Sequence, residues 1–371
     1  MKNKISVNYV CEVSYPNSSA YGIHVLKMCD AFINKNIIVN LFTPNISISK
    51  KKLQNIYKIK NKINFKSIFK KKKNLNIYER VIFSFKILNE NKNAINKNNE
   101  KKFYLSRSII FAIIACLLNK KIILELHHEL SGLTKFIFFQ LKKIGLLNNL
   151  NFIFIHKNLI KIFKPLKNSY ICLDDAVDVN DFKKVKSNYK ANTCIYVGSF
   201  HKGKGVEKIL ELAKNLKNIN FHLYGDKRFL DRKINIKNLK IFDYLPYKQI
   251  PDVLSNYKVA LMPYENRVTG RLKNINLVNF MSPLKMFDYL ASSKVILASD
   301  LKVYKHILKH NYNSILIKNN IDEWIFWINK IFKTKKKFNY LQINAKKTAM
   351  KFTWKKRSKK ILVFAKKNSL I

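Results

Sequence analysis

Cysteine, glycine and arginine are all scarce in this 371-residue chain, and no apolar run in it is long. The five cysteines (Cys11, Cys29, Cys116, Cys172 and Cys194) are odd in number, scattered and never spaced as Cys-x-x-Cys. That pattern excludes a disulfide scaffold and points to reduced thiols in a cytosolic compartment. The longest apolar run, Ile109 to Leu118, falls well short of the ~18–20 residues that cross a bilayer. The start of the chain, Met-Lys-Asn-Lys before a strand-like run that soon meets Glu12, lacks the apolar core and small-residue cleavage site of a secretory signal. At ~100–200 residues per domain the length implies two domains, which excludes a peptide hormone or a single small module.

Acidic residues are the other shortage. Asp and Glu number 22 against 72 Lys and Arg, a net charge of +50. In isolation that suggests contact with nucleic acid or an anionic membrane. Yet only seven of the cations are arginine and 65 are lysine, while Asn and Ile abound. Lys, Asn and Ile have AT-rich codons, whereas Gly and most Arg codons are GC-rich. Genomic base composition therefore explains much of the charge, and bidentate reading of phosphate or guanine would favour arginine. No specific nucleic-acid partner is expected.

What is present is alternation. Strand-like runs at Val7–Val13, Ile37–Phe42, Lys121–Leu126, Phe152–Ile155 and Tyr170–Leu173 are interspersed with helical segments at Ile23–Ile33 and Arg107–Leu118. The rhythm restarts with strands near Cys194–Val197, Phe221–Tyr224, Val259–Met262, Val295–Ala298 and Ile315–Ile317. This βαβ pattern predicts two doubly wound parallel-sheet α/β domains, residues 1–185 and 186–355, with the boundary in a polar stretch near 182–191. Ser47–Asn76, lysine-rich with interspersed Ile, Phe and Leu, reads either as a surface resting on anionic lipid or as a solvated lysine-coated face. Asn89–Lys102 reads as a solvated insertion.

Four features could carry chemistry. Three of the eight glycines fall in Gly198-Ser199-Phe200-His201-Lys202-Gly203-Lys204-Gly205, after a strand and before a helix with apolar residues at Val206, Ile209, Leu210 and Ala213. A glycine-rich turn ahead of a helix N-terminus offers unpaired N–H groups and a positive dipole end to an anion, with Lys204 adding a mobile charge. The spacing fits neither a dinucleotide fingerprint nor a P-loop, and the glycines could equally serve turn geometry alone.

In Met281-Ser282-Pro283-Leu284-Lys285-Met286-Phe287-Asp288, Ser282 and Pro283 read as an N-cap and first helical residue. Asp288 then lies beside the buried stripe, where it either pairs with Lys285 or accepts hydrogen bonds from ligand hydroxyls such as those of a ribose. Glu125-Leu126-His127-His128-Glu129 ends a strand, where ligands of open sheets bind. Adjacent histidines there point apart, and no ligand set stands at metal spacing, so no metal is expected. The polar loop Ser14–Gly22 ends in a glycine that permits close backbone approach.

These features resemble, in order and separation, the retaining family 4 glycosyltransferases of the GT-B fold. The likeness covers most of the chain and is strongest in its C-terminal half: Tyr196-Val197-Gly198-Ser199 with Lys204-Gly205, Leu245-Pro246-Tyr247 through Pro263-Tyr264, Ser282 to Ala291, and Phe352-Thr353-Trp354. The resemblance implies two Rossmann-like domains facing across a cleft, with a final helix, 356–371, packed back on the first. It implies a metal-independent enzyme without a cofactor, moving a sugar from a nucleotide donor to a glycan or lipid-linked acceptor in surface polysaccharide or glycolipid synthesis. Such an enzyme would be cytoplasmic and peripheral on the inner membrane face.

Residue by residue, the resemblance assigns His127 to the active site and Gly22 to the diphosphate loop. Gly198, Gly203, Lys204, Ser282, Leu284, Lys285 and Asp288 fall to donor binding. The sequence departs from the family at two points. The first of its paired glutamates falls on Phe280, and the arginine that accompanies the lysine is absent, leaving Arg267 or Arg271 as candidate compensating cations. The rival readings are a basic nucleic-acid-binding protein and a GT-B sugar-nucleotide epimerase.

Overall fold

The computed structural model describes residues 4–71, 74–92, 101–182, 189–230, 234–269, 275–334 and 337–371. The chain divides into two compact units, Met1–Asp174 with Trp354–Ile371, and Asp175–Thr353.

The first unit is built on strands β1 (Ile5–Val10), β2 (Ile38–Thr43), β3 (Asn64–Ser67), β4 (Lys101–Ser106), β5 (Ile122–Leu126), β6 (Asn151–Phe154) and β7 (Tyr170–Cys172). Their spatial order is β3-β2-β1-β4-β5-β6-β7, and every pair is parallel. The chain winds one way from β1 to β3, then restarts on the other flank of β1 with Val10 opposite Ser106. That reversal opens a crevice beyond the strand ends, where ligands of doubly wound sheets bind. The central strands are largely apolar because both faces are covered; Val7, Tyr9, Leu105, Ile123 and Leu124 are fully buried.

The second unit repeats the plan with β8 (Thr193–Val197), β9 (Asn220–Tyr224), β10 (Leu239–Phe242), β11 (Val259–Met262), β12 (Val295–Ser299) and β13 (Ile315–Ile317). The order is β10-β9-β8-β11-β12-β13, again parallel throughout, so its reversal lies between β8 and β11. The helix Val206–Asn215 buries Val206, Ile209, Leu210 and Ala213 in one core with Trp324 and Ile328, as the spacing requires.

Three differences from the sequence reading have clear causes. The division falls at Asp174/Asp175 and Thr353/Trp354 rather than at 185/186 and 355/356. Val177 N donates to the Phe352 carbonyl at 3.0 Å, and Lys346 Nζ to that of Phe182 at 3.0 Å, tying this segment into the second unit. In the lysine-rich Ser47–Asn76 stretch, Leu53 and Tyr57 of the helix Lys50–Tyr57, Phe65 of strand β3 and Ile63 just before it are core residues, and its lysines are mostly exposed. Lys101 and Lys102, assigned to a solvated insertion, open β4, because Phe103 and Leu105 beyond them are buried; residues 93–100 lie outside the described residues. No helix among those described is long and apolar enough to cross a membrane.

Candidate active site

In the second unit the turn after β8 sits at the sheet's reversal point. Gly203 and Gly205 hold φ of +83° and +82°, and a Cβ on either would lie 1.9 Å from a backbone oxygen, of Arg267 and Pro263 respectively. These two glycines therefore serve the packing of the turn against the chain beyond β11. Gly203→Ala should cost roughly 2–4 kcal/mol in urea unfolding, since left-handed strain and a backbone clash add; a loss below ~1 kcal/mol would mean the turn relaxes freely. Gly198 differs. A Cβ there would lie 2.4 Å from Lys285 Nζ, so its bareness makes room for a charged side chain.

Two amines converge here. Lys204 Nζ lies 5.0 Å and Lys285 Nζ 5.4 Å from the centroid of the Tyr264 ring, and Lys285 Nζ lies 3.6 Å from that of Tyr196. Aromatic faces attract cations, but neither amine has an ion-pair partner among the described residues. Lys285 Nζ is buried without any hydrogen-bond partner among them. Burial pushes the Lys204 amine down to about 8. Burial and the charge of Lys204 push the Lys285 amine well below its ordinary value. Two crowded, poorly solvated amines can accept the charge of an anion.

Lys285 stands in the first turn of the helix Leu284–Ala291, whose buried face includes Leu284 and Phe287. The expected Ser282 cap is not formed. Pro283 takes the cap position with extended backbone and accepts from Met286 N at 3.0 Å. The Ser282 hydroxyl instead accepts from Asp175 N at 3.1 Å. Asp288 is buried and accepts from the Tyr247 hydroxyl at 3.3 Å, so its partner is this tyrosine and not Lys285. Burial and the Asp288 charge hold the Tyr247 phenol well above its usual range, keeping it a proton donor. Phe280 is buried, an apolar core residue where the resemblance called for a carboxylate. Arg267 is exposed and lines a surface pocket with Glu207, Glu211 and Glu265; Arg271 lies outside the described residues.

The first unit gathers a second cluster beyond β5. Oε1 of Glu125, a fully buried carboxylate, lies 2.7 Å from His127 Nε2, 2.9 Å from His24 Nε2 and 2.9 Å from Arg357 Nη2. Burial alone would raise its pKa, but the charges of Arg357 and His24, with hydrogen bonds from both histidines, hold it well below the usual carboxylate range. The His24 ring stands edge-on to those of His127 and Trp354, centroids 5.1 Å away in each case. His128 takes a different partner, the Glu129 carbonyl at 2.6 Å.

Ligand atoms of His24, Glu125 and His127 lie within 4.8 Å of one another, a grouping the sequence reading missed. A divalent cation fits it poorly, because the Arg357 guanidinium already occupies the same carboxylate oxygen. Gly22 is not at the end of a loop. The helix starts at Ala20, and Ser19 Oγ accepts from Gly22 N at 3.2 Å. A Cβ on Gly22 would lie 3.2 Å from that of Asn17, so the glycine lets the preceding loop fold over the helix start.

Residues 178–348 match the glycosyl transferases group 1 family. That stretch lies within the second unit, Asp175–Thr353. It contains the turn after β8, both lysines, Tyr247 and Asp288. No curated protein matches the sequence, but solved structures match nearly the whole chain. A glycosyltransferase from Rickettsia africae is 13% identical, with a TM-score of 0.74 over 98% of both chains. HepE from Anabaena, solved with UDP and glucose, is 11% identical, with a TM-score of 0.68 over 96% of this chain and 98% of that one. Sucrose-phosphate synthase from Thermosynechococcus elongatus is 11% identical, with a TM-score of 0.70 over 98% of both. The fold, two parallel-sheet α/β units, is GT-B.

Proposed function

We propose that the chain is a glycosyltransferase that moves a sugar from a nucleoside-diphosphate donor to a glycan or lipid-linked acceptor with retention, in surface polysaccharide or glycolipid synthesis. The observation that carries this reading is the pair of amines, Lys204 and Lys285, without an ion-pair partner among the described residues, at the sheet reversal of a unit that matches the group 1 family. HepE, of similar fold, was solved with UDP.

When the glycosidic bond to a diphosphate breaks, charge collects on the leaving phosphate. Preorganised cations and the start of the Leu284 helix stabilise that charge without a metal. Lys285 takes the place of the family's absent arginine. Asp288, steadied by Tyr247, retains acceptor capacity for ribose hydroxyls. His127, oriented by Glu125, acts at the acceptor side, and the leaving phosphate helps deprotonate the acceptor on the same face. With Phe280 in place of a glutamate, sugar hydroxyls are held by other groups. The enzyme works at the cytoplasmic membrane face.

Calorimetric titration with UDP, GDP and their sugars tests this. Saturable one-to-one binding is expected, unchanged by EDTA. Binding only to duplex DNA, collapsing steeply with salt, would favour the nucleic-acid reading; conversion of a nucleotide sugar to its epimer without acceptor would favour the epimerase.

A further inference from the structure

Of the seven arginines, Arg80, Arg228 and Arg357 are ion-paired, with Glu12, Asp226 and Glu125 respectively. Arg107 is not. Its half-buried guanidinium has no ion-pair or hydrogen-bond partner among the described residues, and its Cζ lies 4.0 Å from the centroid of the Tyr21 ring. A guanidinium stacked on an aromatic face keeps the N–H donors at its edge available for a planar, bidentate partner.

The chain around this arginine is held in place. Arg107 directly follows β4, and its backbone N donates to the Val10 carbonyl of β1 at 3.3 Å. It therefore stands at the sheet reversal of the first unit, where doubly wound sheets bind ligands. On its other side Ser108 N donates to Ser106 Oγ at 2.9 Å, and Ser108 Oγ caps the helix Ile109–Leu117 by accepting from Phe111 N at 3.2 Å. The nearby carboxylate is already engaged: Glu12 accepts from the Ser108 hydroxyl and lies 3.2 Å from Arg80 Nε. The Arg107 charge reaches instead toward His128, whose ring burial, first, and then this charge push below its ordinary pKa. That imidazole stays neutral around pH 7, so Arg107 carries a positive charge that no neighbouring carboxylate pairs with.

We infer that Arg107 receives an anionic group of the acceptor, a phosphate or a carboxylate, so that the second substrate is a charged sugar or lipid-linked sugar rather than a neutral glycan. Calling this ligand the acceptor rests on the proposed function: the lysines of the second unit take the donor diphosphate, which leaves the reversal point of the first unit, beside the segment carrying His127, for the other substrate. Anion capture at Arg107 and UDP binding are read separately, so either can fail by itself.

The test is NMR of the arginine Nε–Hε groups in the full chain labelled with nitrogen-15 arginine, the Arg107 signal being identified by its loss in Arg107→Lys or Arg107→Gln. Glucose 1-phosphate, glucuronate and methyl glucoside are titrated in turn at constant ionic strength. A saturable shift of the Arg107 signal is expected with one or both anions and none with methyl glucoside; the anion that saturates at the lower concentration separates a phosphate-bearing acceptor from a uronic acid. A signal that neither anion moves overturns the inference. So does one that methyl glucoside moves equally, or one that drifts without saturating, since a charged acceptor group would then have no site there.

Discussion

Glu125→Ala should destabilise the first unit by about 3–5 kcal/mol, the cost of leaving a buried charge without its counter-ion. Arg357 is only 4% exposed, and its guanidinium is directed at Glu125 Oε1 while also donating to the Asp174 carbonyl at 3.0 Å. Without the carboxylate, a desolvated cation faces two histidines. Glu125→Gln keeps the shape and loses the charge, so it should fall between wild type and alanine. The sign of the pH dependence follows from the depressed carboxyl pKa. The stabilisation is fully present above the unfolded carboxylate value of ~4.3 and is lost as pH falls toward the lower folded value. Urea unfolding at neutral and acid pH should therefore show wild type losing this advantage in acid and Glu125→Gln losing much less. A neutral-pH difference under ~1 kcal/mol for Glu125→Ala would mean the cluster is solvated.

Lys204→Ala and Lys285→Met should each weaken UDP or GDP binding about 10- to 150-fold, since a hydrogen bond to a charged group contributes about 1.5–3 kcal/mol. Their stability should move the other way, because each removes a poorly solvated amine that has no ion-pair partner among the described residues. Loss of affinity with preserved or increased stability separates a binding role from a structural one. The Lys204 amine, pushed down to about 8 in the free protein, is protonated below that pH. Affinity should be flat there and fall as pH rises through it, because the diphosphate prefers the charged form. Lys204→Ala should also release the Lys285 amine toward its ordinary value, moving any residual pH dependence upward.

Much of this architecture is legible in the residues. Apolar runs such as Ile122–Leu124 and Val295–Ala298 announce strands buried on both faces. β3 and β4 are hidden because lysines crowd their ends, and β10 because it is an edge strand with no fully buried residue. The turn after β8 and the Leu284 helix stand out through scarce glycines and a Ser-Pro step. The contacts they make with Tyr196, Tyr247 and Tyr264 do not, since contacts between distant segments leave no local spacing. The Glu125 cluster is the clearest case. His24 and Arg357 lie at opposite ends of the chain and meet only because the helix Trp354–Lys367 packs beside the helix Ala20–Ile33, with Ser358 Oγ donating to the Ala31 carbonyl at 3.3 Å. One signal was available: in a chain where lysine is the default cation, an arginine such as Arg357 marks a place where its planar fork is needed.

The central claim is that Lys204 and Lys285 together hold a diphosphate. Calorimetric titration of UDP or GDP into wild type and the Lys204→Ala, Lys285→Met double variant, near pH 8.5 in two buffers of different ionisation enthalpy, tests it most directly. Wild type should bind with proton uptake as the depressed amines regain their charge, and the double variant should bind at least about a hundredfold more weakly and without that uptake. Equal dissociation constants, with no proton taken up by either, would contradict it.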